Sequence, residues 1–100
     1  MLDANNIIAN QMLQVKRHLK ITWSDTDTDN QIKDIMIDAE AALNHKLGAE
    51  FDYFKPGQAR RLYLDYILYA WNDCLNEFDK AYMSEIYQLR HIAEVRANEK

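Results

Sequence analysis

An all-α fold, a small bundle of about four helices around one core, is predicted by three observations. Apolar residues make up 48% of the 100-residue chain and charged residues 28%, which excludes the disordered class. Only two glycines and one proline are present, and Pro56 and Gly57 are adjacent, so the chain has little punctuation for the many turns of a sheet. Apolar residues recur at alternating spacings of three and four over long stretches, the period of a helix with one buried face. One hundred residues suit a single helical domain spanning 1–100.

The first helix is expected from about Asn5 to Lys20, with Ile8, Met12, Val15 and Leu19 on one stripe. The stretch that follows, WSDTDTDNQI (Trp23–Ile32), raises the question of a calcium loop. Asp25, Asp27 and Asp29 match the first three ligand positions and Asn30 could stand for the turn glycine. The twelfth position, however, is Met36, which offers no oxygen where a bidentate carboxylate is required. A register starting at Asp27 fails at Gln31. The same residues read well as a helix start, with Thr28 and Gln31 as a capping box and Asp29 complementing the positive end of the dipole; Asp27 and Ser24 are alternative caps. A second helix then runs from Thr28 through Ile32, Ile35, Met36, Ala39, Ala42, Leu43 and Leu47 to a C-cap at Gly48.

The aromatic segment GAEFDYFKPGQ is non-helical at Pro56-Gly57 and reads either as a lid on the bundle or as a partner surface. A third helix is expected from about Gln58 to Asp79, apolar around most of its circumference, with Trp71 near the centre of the core. The fourth covers about Lys80 to Asn98, with Met83, Ile86, Leu89 and Ala93 on its stripe.

No catalytic, metal-binding or cofactor-binding constellation is legible. The residues three before His18, His45 and His91 are Val15, Ala42 and Gln88, so the Glu-x-x-His pairs of di-iron bundles are missing, and His91 with Glu94 is one pair on a solvated face. Cys74 has no partner for an internal disulfide and is expected as a small buried hydrophobe within a helix. The reading is of a non-enzyme without cofactors. The longest apolar runs fall far short of the roughly 20 residues that cross a bilayer, and the N-terminus lacks a secretory profile, so a soluble protein made in the cytosol is expected.

A net charge of −4 counts against nonspecific nucleic-acid binding, and the Lys16, Arg17, His18, Lys20 cluster is read first as cations at a helix C-terminus. Arg60 and Arg61, by contrast, open the third helix, where the dipole disfavours cations; Arg61 could pair with Asp65 one turn on. With Phe51, Tyr53 and Phe54 nearby, this corner is a candidate partner surface, and Tyr87 and Arg90 join the candidates as an exposed aromatic and cation on the last helix.

Two stretches carry a family resemblance. VKRHLKITWSDTDTDNQIKDIMIDAEAAL (Val15–Leu43) resembles the opening of head-tail connector, or adaptor, proteins of tailed bacteriophages, with valine-lysine-x-x-leucine-x-isoleucine, an acidic helix start and an Ile-rich helix ending in alanines. YILYAWNDCLNEFDKAYMSEIYQLR (Tyr66–Arg90) is similar to the back half of the Gram-positive-phage members, with an aromatic helix, an acidic turn and a final helix. The resemblance implies an all-helical virion protein of the neck, made in the host cytoplasm. Its partners would be the portal protein and other neck or tail-completion proteins. It would assemble as a homo-oligomeric ring, dodecameric on the portal, from a subunit that can be monomeric in solution. DNA would pass through without sequence-specific binding, and no membrane would be involved. Two other classes stay open: a small helical DNA-binding protein, of packaging-enzyme small-subunit or repressor type, using Lys16, Arg17 and Lys20, and a regulatory module binding a host protein through the aromatic loop.

Overall fold

The computed structural model describes the backbone of residues 4–98 and the side chains of residues 11–98. It is an all-α bundle: α1 (Ala4–Leu19), α2 (Thr26–Leu47), α3 (Gln58–Trp71), a 3-10 turn (Leu75–Glu77), the single-turn α4 (Phe78–Ala81) and α5 (Met83–Asn98). No strand occurs among the described residues. α2 and α3 form the central pair, with α1 packed chiefly on α3 and α5 on both. α5 runs antiparallel to α3, since Tyr82 meets Asp65 while Gln88, further along, meets Gln58 at 2.8 Å.

The acidic run is indeed a helix start, but the cap lies upstream of Thr28. Asp25 adopts an extended conformation (φ −154°, ψ 133°), and its carboxylate accepts from the Thr28 amide at 3.2 Å and the Thr28 hydroxyl at 3.0 Å. The helix therefore begins at Thr26, and Asp27 and Asp29 both fall in its first turn, where the dipole favours them. Thr28 is the third helical residue receiving the cap, rather than the cap itself.

Three helices end through a left-handed residue, and only one of these is glycine. Gly48 (φ 73°) closes α2 by returning its amide to the Asn44 carbonyl. α1 ends in a Schellman motif: Lys20 has φ 61°, its amide bonds to Arg17, and the Ile21 amide reaches Lys16 at 2.9 Å. This turns Ile21 back into the core beside Val15. The same motif ends α3, with Asp73 at φ 58°, its amide on Ala70 and the Cys74 amide on Tyr69.

That third ending corrects the expectation of one helix from Gln58 to Asp79. α3 stops at Trp71, with the Asn72 side chain also bonding the Leu68 carbonyl, and the chain reverses. In a continuous helix Phe78 would lie about 18 Å along the axis from Tyr66. Instead the two rings meet edge-on with centroids 4.9 Å apart, and Phe78 also contacts Tyr69 (5.7 Å) and Tyr82 (4.8 Å). The reversal thus folds the second half of the predicted helix back onto the first. It also moves the centre of the core: Tyr63, Ile67 and Phe78 are fully enclosed, whereas Trp71, expected there, is half-buried at the helix end and Leu75 is exposed. Cys74 is likewise half-buried in a turn, not buried in a helix.

The core continues along α2 through Ile32, Met36, Ala39, Leu43 and Leu47, as its periodicity predicts, and into α5 through Ile86, Leu89 and Ala93. Val15 on α1 is fully buried, with Met12 and Leu19 partly so; the side chain of Ile8 lies outside the described residues. The bundle is a thin slab of 44 × 38 × 18 Å with a radius of gyration of 14.3 Å, against about 13 Å for a compact chain of this length.

Two outcomes are expected in urea denaturation. Phe78→Ala should cost about 3–5 kcal/mol and Trp71→Ala clearly less, because only the first empties an enclosed site. Lys20→Gly should raise stability by about 0.5–1 kcal/mol, since a lysine at positive φ carries a Cβ penalty that glycine lacks; an unchanged or lower midpoint would contradict the Schellman ending.

Candidate partner-binding surfaces

Gly57 sets the entry to α3. Its conformation (φ 148°, ψ −171°) is accessible essentially only to glycine, and α3 begins at the next residue without a side-chain cap. Arg60 and Arg61 follow, and the helix sends them to different surfaces. Arg60 lines a shallow groove of 560 Å³ between α1 and α3 with Gln14, Arg17, His18 and Leu64. Arg61 lines a groove of 490 Å³ between α3 and α5 with Gln58, Tyr82, Glu85 and Gln88.

The Arg61–Asp65 pair expected from their spacing does not form, because Asp65 is engaged elsewhere. His18 Nε2 lies 2.9 Å from one of its carboxylate oxygens and the Tyr82 hydroxyl donates to the other at 2.9 Å. A carboxylate only accepts, so His18 presents Nε2–H here. Burial and the bond to Asp65 raise the Tyr82 phenol well above its ordinary value, keeping it a donor. Lys16 pairs with Asp29 across the α1–α2 turn, and Lys46 with Asp79 at 2.7 Å. Half of the Lys16, Arg17, His18, Lys20 cluster therefore serves to tie α1 to its neighbours, which goes beyond a helix C-terminus and leaves Arg17 and Lys20 exposed.

The aromatic loop is a lid. Tyr53, expected on a partner surface, is only 3% exposed: it stacks on Tyr63 at 5.1 Å and donates its hydroxyl to Asn44 at 2.6 Å. Phe54 meets the same Tyr63 edge-on at 5.2 Å, and half-buried Phe51 lies under the Arg96 guanidinium at 4.8 Å. Tyr63 in turn donates to the Met36 carbonyl at 3.3 Å, so the ring that anchors the lid also bonds α2. Aromatic residues in a loop of a thin bundle lower their free energy most by covering its open edge, which is why the surface assignment fails for Tyr53.

On α5, Tyr87 is 58% exposed and shares a shallow groove with Lys46, Asp79, Met83, Ile86 and Arg90. The seven candidate residues thus divide among a lid (Phe51, Tyr53, Phe54) and three separate grooves (Arg60; Arg61; Tyr87 and Arg90) and do not form one site. Met83, expected on the buried stripe of the last helix, is instead 51% exposed at its first residue. Residues missed by the sequence reading are Leu13, Ile37, Ile92 and Val95, all exposed and apolar. Their signal was legible in principle, because each falls off the buried stripe of its helix. His91 and Glu94 are both exposed, and no group of three metal-ligating side chains gathers among the described residues. No described helix is long and apolar enough to cross a membrane.

Comparison with protein-family models, with curated proteins and with solved structures returned no match.

Alkaline pH should unfold the protein through its lid. Burial, helped by the charges of Glu40 and Glu50, pushes the Tyr53 phenol from 10.0 up to about 12, and Tyr63 is raised further by burial. A phenol whose folded value lies above its unfolded one stabilises the fold fully below the unfolded value and loses that contribution as pH rises through the folded value. The urea midpoint should therefore be flat up to about pH 10 and fall between 10 and 12, by on the order of 2 kcal/mol from Tyr53 alone. In Tyr53→Phe the fall should be shallower; an equal fall would remove Tyr53 from the account.

Proposed function

We propose that this chain is a head-tail connector subunit of a tailed bacteriophage, which assembles as a ring beneath the portal and joins it to the rest of the neck, with DNA passing through the centre. The observation that carries this reading is the outer surface of α5. Met83, Tyr87, Ile92 and Val95 are between 40 and 58% exposed on a helix that buries only its Ile86, Leu89, Ala93 stripe. Large apolar side chains left in water over one helix mark a surface that another protein covers.

Further support comes from the resemblance of Val15–Leu43 and Tyr66–Arg90 to connector proteins and from the form of the molecule. A slab 18 Å thick suits a ring in which identical neighbours meet through two different surfaces, a heterologous contact closed by rotation. The acidic balance of the chain suits a conduit, since a basic lumen would hold the phosphates that have to slide past. In this role Tyr87 and Arg90 belong to a protein interface, and the neck of the virion is the location.

Light scattering behind size exclusion, with and without purified portal, tests the reading. A subunit of low mass alone that joins portal as a ring of many copies is the expected result. Replacing Tyr87 with Ser should weaken that recruitment while leaving the urea midpoint within about 0.5 kcal/mol, because its ring is mostly in water. A protein that ignores portal at every concentration would overturn the assignment.

A further inference from the structure

The groove between α1 and α3 gathers cations that the fold does not use. Lys16 and His18 are taken up by Asp29 and Asp65, but no carboxylate lies within ion-pair distance of Arg17 or Arg60 among the described residues. Leu64 lines the same groove, and Leu13, one helical turn before Arg17, is 49% exposed. The groove is thus a basic surface with an apolar neighbour.

Its complement lies on α2. Asp27, Asp34 and Asp38 are all exposed, and their spacings of seven and four place them on one stripe. That stripe is diametrically opposite the Ile32, Met36, Ala39, Leu43 face that packs on α3 and α5. Ile37, three residues after Asp34 and beside Asp38, is 59% exposed, the largest exposure among the described large apolar side chains. The α2 stripe points away from α3, so one copy cannot bring it to its own α1–α3 groove.

We propose that the Arg17–Arg60 groove receives the Asp34–Asp38 stripe of a second copy, with Leu13 and Ile37 closing together at its edge. The contact is heterologous, since each copy offers a groove on one side and a stripe on the other, so repeated use makes a ring or a filament. It deepens the ring reading of the previous subsection and rests on it for its biological setting. Opposed charges with apolar residues beside them fix register and exclude the reversed contact, in which like charges would face each other.

The test pairs two full-length variants whose folding is checked by circular dichroism: Arg17→Glu with Arg60→Glu, and Asp34→Lys with Asp38→Lys. By sedimentation equilibrium at low ionic strength, wild type should gain mass with concentration and lose it on adding salt, and each variant alone should associate roughly tenfold or more weakly. Mixed in equal amounts, the two variants should regain association, because the intact stripe of the first meets the intact groove of the second, and the glutamates placed in the groove of the first are again complementary to the lysines placed on the stripe of the second. Unimpaired association of either variant, or a mixture that stays monomeric, would overturn the proposal. So would a wild type that stays monomeric while Arg17 and Arg60 prove necessary for binding a short DNA duplex, which would make the groove a polyanion site. Failure of the two readings is separable. Variants that join portal as wild type does would remove this contact and leave the connector role, whereas association restored by mixing the variants, in a protein that ignores portal, would retain the contact and remove that role.

Discussion

Asp65 is the constraint around which the helices are arranged. Each of its two oxygens holds a different element: His18 at the end of α1 and Tyr82 at the junction of α4 and α5. A half-buried carboxylate is stable only when its lone pairs are occupied, so three segments far apart in the chain must converge on it. The convergence brings α1 against one side of α3 and the start of α5 against the other. It also leaves Arg61 without its helical neighbour and turns it to the groove beside α5. The charge distribution of the surface is thus partly a by-product of satisfying one interior group.

Thinness is the second governing property. With 18 Å in its shortest dimension, the slab encloses few side chains completely, and the largest are aromatic: Tyr63 and Phe78. Around them Tyr53, Phe54, Tyr66, Tyr69 and Tyr82 pack in stacked and edge-on pairs, so large rings do the work that a thicker core would leave to aliphatic residues. The same geometry leaves α5 covered on one stripe only. A ring assembly would make use of both consequences, because neighbouring copies extend the slab and cover what it leaves in water.

Much of the fold was legible in the sequence, and the limits of legibility fall at identifiable residues. The α2 stripe and its Gly48 ending followed from period and cap chemistry. The end of α3 did not, because its left-handed residue is Asp73 and not glycine, and the apolar period runs on past it through Leu75 and Phe78. The periodicity was real, but it was satisfied by folding the segment back so that Phe78 meets Tyr66 and Tyr69. The cap of α2 was misplaced by three residues because in DTDT each Asp and Thr has the chemistry of a cap, and the one that accepts from the Thr28 amide is Asp25.

The candidate surfaces show the same division. Local spacing by itself determined an all-α chain, the buried stripes of α1, α2 and α5, and the presence of unusual arginines at the start of α3, because these depend on contacts within a few residues. Only the tertiary structure decided that Tyr53 is a lid and not a docking residue, that Asp65 belongs to His18 and Tyr82, and that Arg60 joins Arg17 while Arg61 does not. Each of those outcomes is a competition between a near neighbour and a distant group. The distant group wins when it also buries apolar surface or satisfies a carboxylate, and that gain exists only once the chain has closed.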